Sequence, residues 1–285
     1  MTNAGIRLGA DIGGSHIATA LVDVANRGIV PLSAARVNVD SKASSEEIIN
    51  CWCSALKTTM QLSDRSIESV GIAMPGPFDY DAGISLMREN DKYEALYGLN
   101  IKEILSGSLN IPAQQIHISN DAACFLRGEV MAGMPLNYHT AIGITLGTGL
   151  GTSYYKNGKA ADADLWCMPF RGGIAEDYIS SRWFLKRYDE LTGKRLADVK
   201  ALSLLHHSCK HARQVFDEFA GNLSAFLGLF VQMKSPDIIV IGGNIAKSAS
   251  FFLPAAEAGL SDRGINTPVH IATLGEDALI FGAAL

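Results

Sequence analysis

Two short segments constrain this chain more than any others: Gly9-Ala-Asp11-Ile-Gly13-Gly-Ser15 and Gly143-Ile-Thr145-Leu-Gly147-Thr-Gly149. Laid over each other, they share glycines at the first and fifth positions and a polar side chain at the third. Each joins two apolar, β-branched runs. Ile6–Ile12 leads into Ile17–Val24, and His139–Leu146 leads into Thr152–Tyr155. Such runs read as strands, so each segment is strand, glycine turn, strand. A unit repeated in this way predicts two related lobes. The expected division is residues 1–118 with about 275–285, and residues 119–274, within the 285 residues of the chain.

The remaining elements fit an α/β chain. Ser44 and Glu47 form a capping-box pattern, followed by Ile48, Ile49, Trp52, Leu56 and Met60 at helical spacing. Ser69–Met74 reads as a buried strand stopped by Pro75-Gly76-Pro77, with an irregular region from Phe78 to about Asn100. Ile116–Ser119 is a further strand, and Asn120-Asp121 opens a helix expected to run to about Met131. Helices follow from about Gly173 and about His211. The second carries a wide stripe of Val215, Phe216, Phe219, Leu223, Phe226, Leu227 and Phe230. A strand at Asp237–Ile241 ends in Gly242-Gly243-Asn244, and a last helix covers Glu276–Leu285.

Composition narrows the function classes. The net charge is −5 with no run of Lys or Arg, so no phosphate-tracking nucleic-acid surface is signalled. The five cysteines are odd in number and scattered, which suggests no disulfide framework and a reducing, cytoplasmic setting. Neither a signal peptide nor a membrane span is expected from the sequence.

Glycine turns bring backbone amides close to anions, and two of them could clasp a polyphosphate. No G-x-x-x-x-G-K-[ST] string occurs, and strands rather than helices follow the turns, against a dinucleotide-binding loop. The plainer alternative is two ordinary hairpin turns. Asp11 could hold Mg²⁺-bound water near phosphates or merely cap its turn. Asn120-Asp121 suits a carboxylate that takes a hydroxyl proton, with an amide for a neighbouring hydroxyl, or a helix N-cap and nothing more.

Five strings in order resemble the ROK family of sugar kinases and sugar-responsive repressors: Asp11–Ser15, Gly71-Ile-Ala-Met-Pro-Gly-Pro77, Asn120–Ala123, Gly143–Gly149 and Ile241–Ile245. The resemblance implies a two-lobed actin/hexokinase-like (ribonuclease H-like) fold with a central cleft. It implies ATP with Mg²⁺ at Asp11, Gly13, Gly14, Ser15, His16, Thr145, Gly147, Thr148 and Gly149, with adenosine near Gly242, Gly243 and Asn244. It also implies a sugar partner, Asp121 as catalytic base, and a homodimer. His16 stands where the family often has lysine.

The sequence departs from the family where sugar and zinc are bound. Asp164 aligns with a sugar-contacting glutamate, Cys167 with a histidine, and Glu176 with a second glutamate, while the family's cysteine cluster is missing. A structural zinc needs about four N/S ligands, so none is expected. Cys51 and Cys53 diverge on a helix, and His207 with His211 lack a third ligand. Asp91, Lys92, Tyr93 and Tyr97 lie in the loop that approaches sugar in relatives. The expected activity is phosphorylation of a hexose or N-acetylhexosamine, of glucose type, at its 6-hydroxyl. The competing expectation is a non-catalytic sugar sensor on the same scaffold, and the five residues before Ile6 leave no room for a DNA-binding domain.

Overall fold

The computed structural model describes residues 5–88, 92–134 and 138–285. The chain divides into two compact units, residues 1–135 with 276–285, and residues 136–275. Helix Asp121–Gly128 belongs to the first unit, so the division falls later in the chain than residue 118.

In the first unit, β1 (Ile6–Ile12), β2 (His16–Asp23), β3 (Gly28–Ile29) and β4 (Ala35–Asn38) precede helix α1 (Ser45–Met60). Next come β5 (Ile67–Met74), the short hairpin β6 (Phe78–Asp79) and β7 (Ile84–Ser85), α2 (Ile101–Leu109), β8 (Ile116–Asn120) and α3 (Asp121–Gly128). The main sheet runs β3-β2-β1-β5-β8, with β4 also on β2. β1 and β2 form the antiparallel hairpin around the first glycine turn, and β5 and β8 add in parallel. Ser44 and Glu47 close both halves of the capping box of α1.

The two faces of this sheet are covered differently. Leu8, Ala10 and Ile12 alternate onto the face beneath α1 and α2, where Trp52, Leu56 and Leu105 are fully buried. Arg7, Gly9 and Asp11 therefore face the other side. There the C-terminal helix, Glu276–Ala284, lies against β1, β5 and α3. Its approach depends on glycine. A Cβ on Gly9 would stand 2.1 Å from the Ile280 carbonyl oxygen, and one on Gly71 would stand 1.9 Å from that of Ala283.

The second unit repeats the plan. β9 (Thr140–Leu146) and β10 (Leu150–Lys156) form the second glycine-turn hairpin, and β11 (Lys159–Asp162) extends it. After β12 (Pro169–Phe170) and β13 (Gly173–Ile174) come α4 (Ala175–Tyr178), α5 (Ser181–Thr192), α6 (Val199–Leu204) and α7 (Lys210–Lys234). The chain continues with β14 (Ile238–Gly242), α8 (Leu253–Ser261) and β15 (Val269–Ile271). The sheet order β11-β10-β9-β14-β15 matches the first sheet strand for strand, with β14 and β15 parallel to β9. The phenylalanine stripe of α7 builds its core: Phe216, Phe219, Phe226 and Phe230 are fully buried. The Phe226–Val231 stretch reaches solvent only at its flank, through exposed Leu229 and half-buried Val231. The duplicated α/β fold is thus as expected.

One element differs. Regular α-helix after Asp121 stops at Gly128, and Glu129–Gly133 winds as a single π-turn rather than continuing to Met131. Gly128 packs on the backbone of the C-terminal helix, 2.0 Å from its Cβ position to the Ala278 oxygen.

Candidate functional site

Strand register builds the site in the first unit. Asp11 pairs with Ala18 on β2 and Ala73 on β5, Ala18 pairs with Arg36 on β4, and Ala73 pairs with Ser119 on β8. Arg36, Ala18, Asp11, Ala73 and Ser119 therefore form one row across the sheet. Cross-strand partners share a face, so Arg36 and Asp11 point the same way, with small alanines on either side of the carboxylate. Next in the chain after Ser119 come Asn120 and Asp121, at the start of α3.

Asp11 is buried and its carboxyl is pushed up to about 7. Burial is the largest cause, then the nearby charges of Asp121 and Glu276, with Arg36 opposing. Arg36 Nη1 sits 2.5 Å from Glu276, so this guanidinium is shared. Asp121 is raised too, again by burial first. The backbone N–H of Ala122, 2.8 Å from Oδ1, and the Lys92 ammonium pull the other way. Two carboxyl groups that resist ionisation thus stand at the ends of β1 and β8, the strands on either side of β5.

The first glycine turn is held from both sides. The Gly13 amide donates to the His16 carbonyl at 3.0 Å, and the Gly13 carbonyl accepts from the Tyr93 hydroxyl at 2.6 Å. Tyr93 is fully buried edge-on against Trp52, and burial pushes its phenol up to about 12. A Cβ on Gly13 would meet the His16 ring at 2.7 Å, and one on Gly14 would meet Lys92 Cε at 2.9 Å. His16 lies over the turn with Nε2 3.9 Å from Asp11 Oδ2. Both its ring nitrogens are buried without a hydrogen-bond partner, and burial with Arg36 lowers its pKa. Ser15 is exposed beside them.

Asn120 caps α3 with its side-chain oxygen 3.1 Å from the Ala123 amide, while Nδ2 donates to the Tyr80 hydroxyl at 3.3 Å. The capping alternative is therefore realised, yet one N–H of the amide is left over. Of the loop residues, Lys92 and Tyr93 reach the turn, Tyr97 is exposed, and Asp91 lies outside the described residues. Arg36, Glu276, Lys92 and Tyr93 join Asp11 here. The pairing of β2 with β4 is the signal that could have found Arg36.

The second unit holds the other predicted residues. Thr145 pairs with Gly151 and Gly242 at the mouth of the second turn. The Gly147 carbonyl accepts from the Ser181 amide at 2.8 Å, and Thr148 is exposed. Glu176 lies on this turn. It accepts from the Leu150 amide at 3.0 Å, binds Arg182, and stands 2.5 Å from a Cβ position on Gly149. The Trp166 carbonyl accepts from the Glu176 amide at 3.0 Å. Asp164, at φ 52°, accepts from the Trp166 indole at 2.9 Å, and Cys167 is exposed beside it. Gly243, at φ 87°, carries the backbone past β9, where a Cβ would meet the Leu146 oxygen at 2.4 Å. Asn244 accepts from Lys247 at 2.9 Å.

His207 packs edge-on against His206 and Phe251. Among the described residues no group of three or more His, Cys, Asp or Glu is placed to hold a metal. No described helix is long and apolar enough to cross a membrane.

The description of the ROK family matches residues 7–285. An N-acetyl-D-glucosamine kinase of Pectobacterium atrosepticum is 27% identical over 62% of this chain and 65% of its own length, so the chain spans less than two thirds of that relative. The N-acetylgalactosamine kinase AgaK of a Shewanella species is 26% identical over 97% of this chain and 95% of its own. Among solved structures, a ROK hexokinase from Thermus thermophilus superposes with a TM-score of 0.82 at 21% identity, over 99% of this chain and 97% of that one. A ROK family glucokinase from Streptomyces griseus, in complex with glucose and AMPPNP, gives 0.76 at 22% over 98% of both chains.

Proposed function

The chain belongs to the ROK family, and we propose that it is an ATP-dependent sugar kinase, moving the γ-phosphoryl group of Mg²⁺–ATP to the 6-hydroxyl of a hexose or N-acetylhexosamine. The observation that carries this reading is Asp121, a half-buried carboxyl whose pKa burial raises, at the first turn of α3. Phosphoryl transfer asks the protein for positioning, charge neutralisation and a base. A carboxylate with a raised pKa takes a hydroxyl proton more readily than a solvated one. The kinase names of the relatives and the AMPPNP in the Streptomyces structure support the same class.

The other residues take complementary parts. Asn120 keeps one N–H for a sugar hydroxyl. Asp164 and Glu176 each retain lone pairs beyond those their internal donors use and are proposed as sugar contacts. The Gly13 and Gly147 amides close their own turns, so the amides at Gly14–Ser15 and Thr148–Gly149 are proposed to donate to phosphate oxygens, with Thr145 beside the second turn, and Gly242–Asn244 to receive the adenosine. His16, with both ring nitrogens buried and unpartnered, turns a donor toward phosphate, and Lys92 adds positive charge over Gly14.

Asp11 fits a magnesium ion carried in by the nucleotide. Its carboxyl sits near neutral pKa because it is buried first of all, and then because the charges of Asp121 and Glu276 oppose its ionisation while Arg36 is shared with Glu276. A divalent cation supplies the missing positive charge and would neutralise phosphate oxygens when bound. We further propose a cytoplasmic homodimer.

ADP release with Mg²⁺–ATP over a panel of hexoses, amino sugars and N-acetylated sugars tests the reading, with Asp121→Asn alongside. Turnover should depend on a sugar and fall roughly 10²–10⁴-fold in the variant, the usual weight of a general base. Melting stabilised by a sugar that is never turned over would make the chain a sensor and refute the kinase.

A further inference from the structure

A polar cavity of about 300 Å³ opens in the first unit at the opposite end of the C-terminal helix from Glu276. Arg7, Lys102, Arg127 and His117 line it, together with Asp81 and Leu285. Alternation along β1 puts Arg7 on the same face as Asp11, at the far end of the strand. The cavity lies toward the Arg7 end of the strands, away from Asp11, and shares only Tyr80 and Ser119 with the surroundings of the candidate site.

Its charges are unevenly used. Arg7 is committed: Nη1 donates to the Ala284 and Leu285 carbonyls at 3.0 and 3.3 Å, and Nε lies 3.6 Å from Glu68. Lys102 donates only to the Asp81 carbonyl, a neutral acceptor, at 3.2 Å. Arg127 makes one long contact, 3.9 Å to the Cys124 sulfur, and its buried Nε has no acceptor. Among the described residues neither Lys102 nor Arg127 has a carboxylate partner. Buried guanidinium donors are seldom left empty, because an unmatched one costs several times what a made bond returns. His117 reports the same excess of positive charge: its pKa is lowered by burial first, then by Lys102, Arg7 and Arg127.

We propose that this cavity is a binding site for a phosphate dianion, either free phosphate or a small phosphomonoester, held chiefly by Lys102 and Arg127. A guanidinium and an ammonium converging on one small opening suit a compact multivalent anion, and the volume is at the lower end of small-ligand pockets. The cavity wall has a route to the candidate site. Tyr80 lines it, donates to the Met74 carbonyl at 3.0 Å, and accepts from Asn120 Nδ2 at 3.3 Å. An occupant that shifts Tyr80 shifts the residue next to Asp121. This last step rests on the kinase reading; the binding itself does not.

The test is NMR titration of the His117 imidazole, assigned with His117→Gln, using inorganic phosphate and glycerol 3-phosphate in separate arms. Saturating AMPPNP and Mg²⁺ keep either probe off the glycine turns. The His117 signal should move and saturate for at least one probe. The apparent Kd should weaken about fivefold or more in Lys102→Met and in Arg127→Gln. Saturation by one probe only names the source of the phosphate. No saturable shift with either probe, or equal affinity in Lys102→Met, overturns the site. Lys102 is half-exposed, so its variant decides the matter even if Arg127→Gln fails to fold. In the kinase assay, the effective probe should change the sugar KM of the wild type and leave that of Lys102→Met unchanged. An unchanged wild-type KM with binding intact would remove the Tyr80 link and keep the site.

Discussion

Ionising Asp11 in the folded protein is uphill, and that cost can be measured. A free aspartate titrates at 3.8, while Asp11 in place titrates at about 7. Below about pH 4 the group is protonated folded or unfolded, and it contributes no pH dependence. As pH rises toward 7 the unfolded chain gives up its proton while the folded chain keeps it, so stability falls. Above 7 the penalty is constant. At 1.36 kcal/mol per pH unit, the gap corresponds to up to ~4 kcal/mol. Asp11→Asn keeps the shape and removes the charge. The variant should match the wild type near pH 4 and exceed it at pH 8 by a few kcal/mol, worth roughly 2–4 °C in Tm for each kcal/mol. Urea unfolding from about pH 4 to 8 reads this directly. Trp52, fully buried against Tyr93 in the same unit, serves as reporter in a Trp166→Phe/Trp183→Phe background. The same substitution should abolish turnover. A stability difference that is flat with pH, or an asparagine that destabilises at pH 8, would show that the carboxyl is not held against ionisation.

Gly243→Ala should cost several kcal/mol in urea unfolding, since it strains a φ of 87° and drives a Cβ into the Leu146 carbonyl. Tyr93→Phe removes the donor to the Gly13 carbonyl. It should lower stability by ~1 kcal/mol and raise the KM for ATP more than that for sugar in steady-state assays. The fully buried hydroxyls of Thr19 and Thr59 lie 2.6 Å apart. Thr59→Val should cost ~1–3 kcal/mol by leaving Thr19 unmatched, and the double valine variant should recover part of it, as a double-mutant cycle by chemical denaturation would show.

Much of this molecule is legible in its sequence where one local rule decides. Glycine turns between β-branched runs fixed both hairpins, and Ser44 with Glu47 fixed the start of α1. The internal match of the two segments pointed to two related lobes, and the two sheets share one strand order. Legibility fails where tertiary packing decides. The residues after Gly128 carry helical side chains, yet they wind as a π-turn just past the close approach of Gly128 to the C-terminal helix. Arg36 and Glu276 are unremarkable surface residues in sequence, and only the β2–β4 pairing and the docking of the C-terminal helix bring their charges to bear on Asp11. Glu176 shows the same limit. Its position relative to a family pattern says nothing of the Leu150 amide and Arg182, which it holds in place.

The C-terminal helix also sets an order of assembly. The first unit rests on Glu276–Ala284, which the ribosome makes only after the whole of residues 136–275. Until those last residues emerge, Gly9 and Gly71 on β1 and β5 have no helix to meet, and Ala18, Ala20 and Val22 keep one apolar face of β2 uncovered. The second unit is continuous in sequence and needs nothing that follows it. During synthesis, then, the lobe translated second is the first able to finish folding. The lobe translated first waits with an open sheet, a state that chaperones are suited to cover.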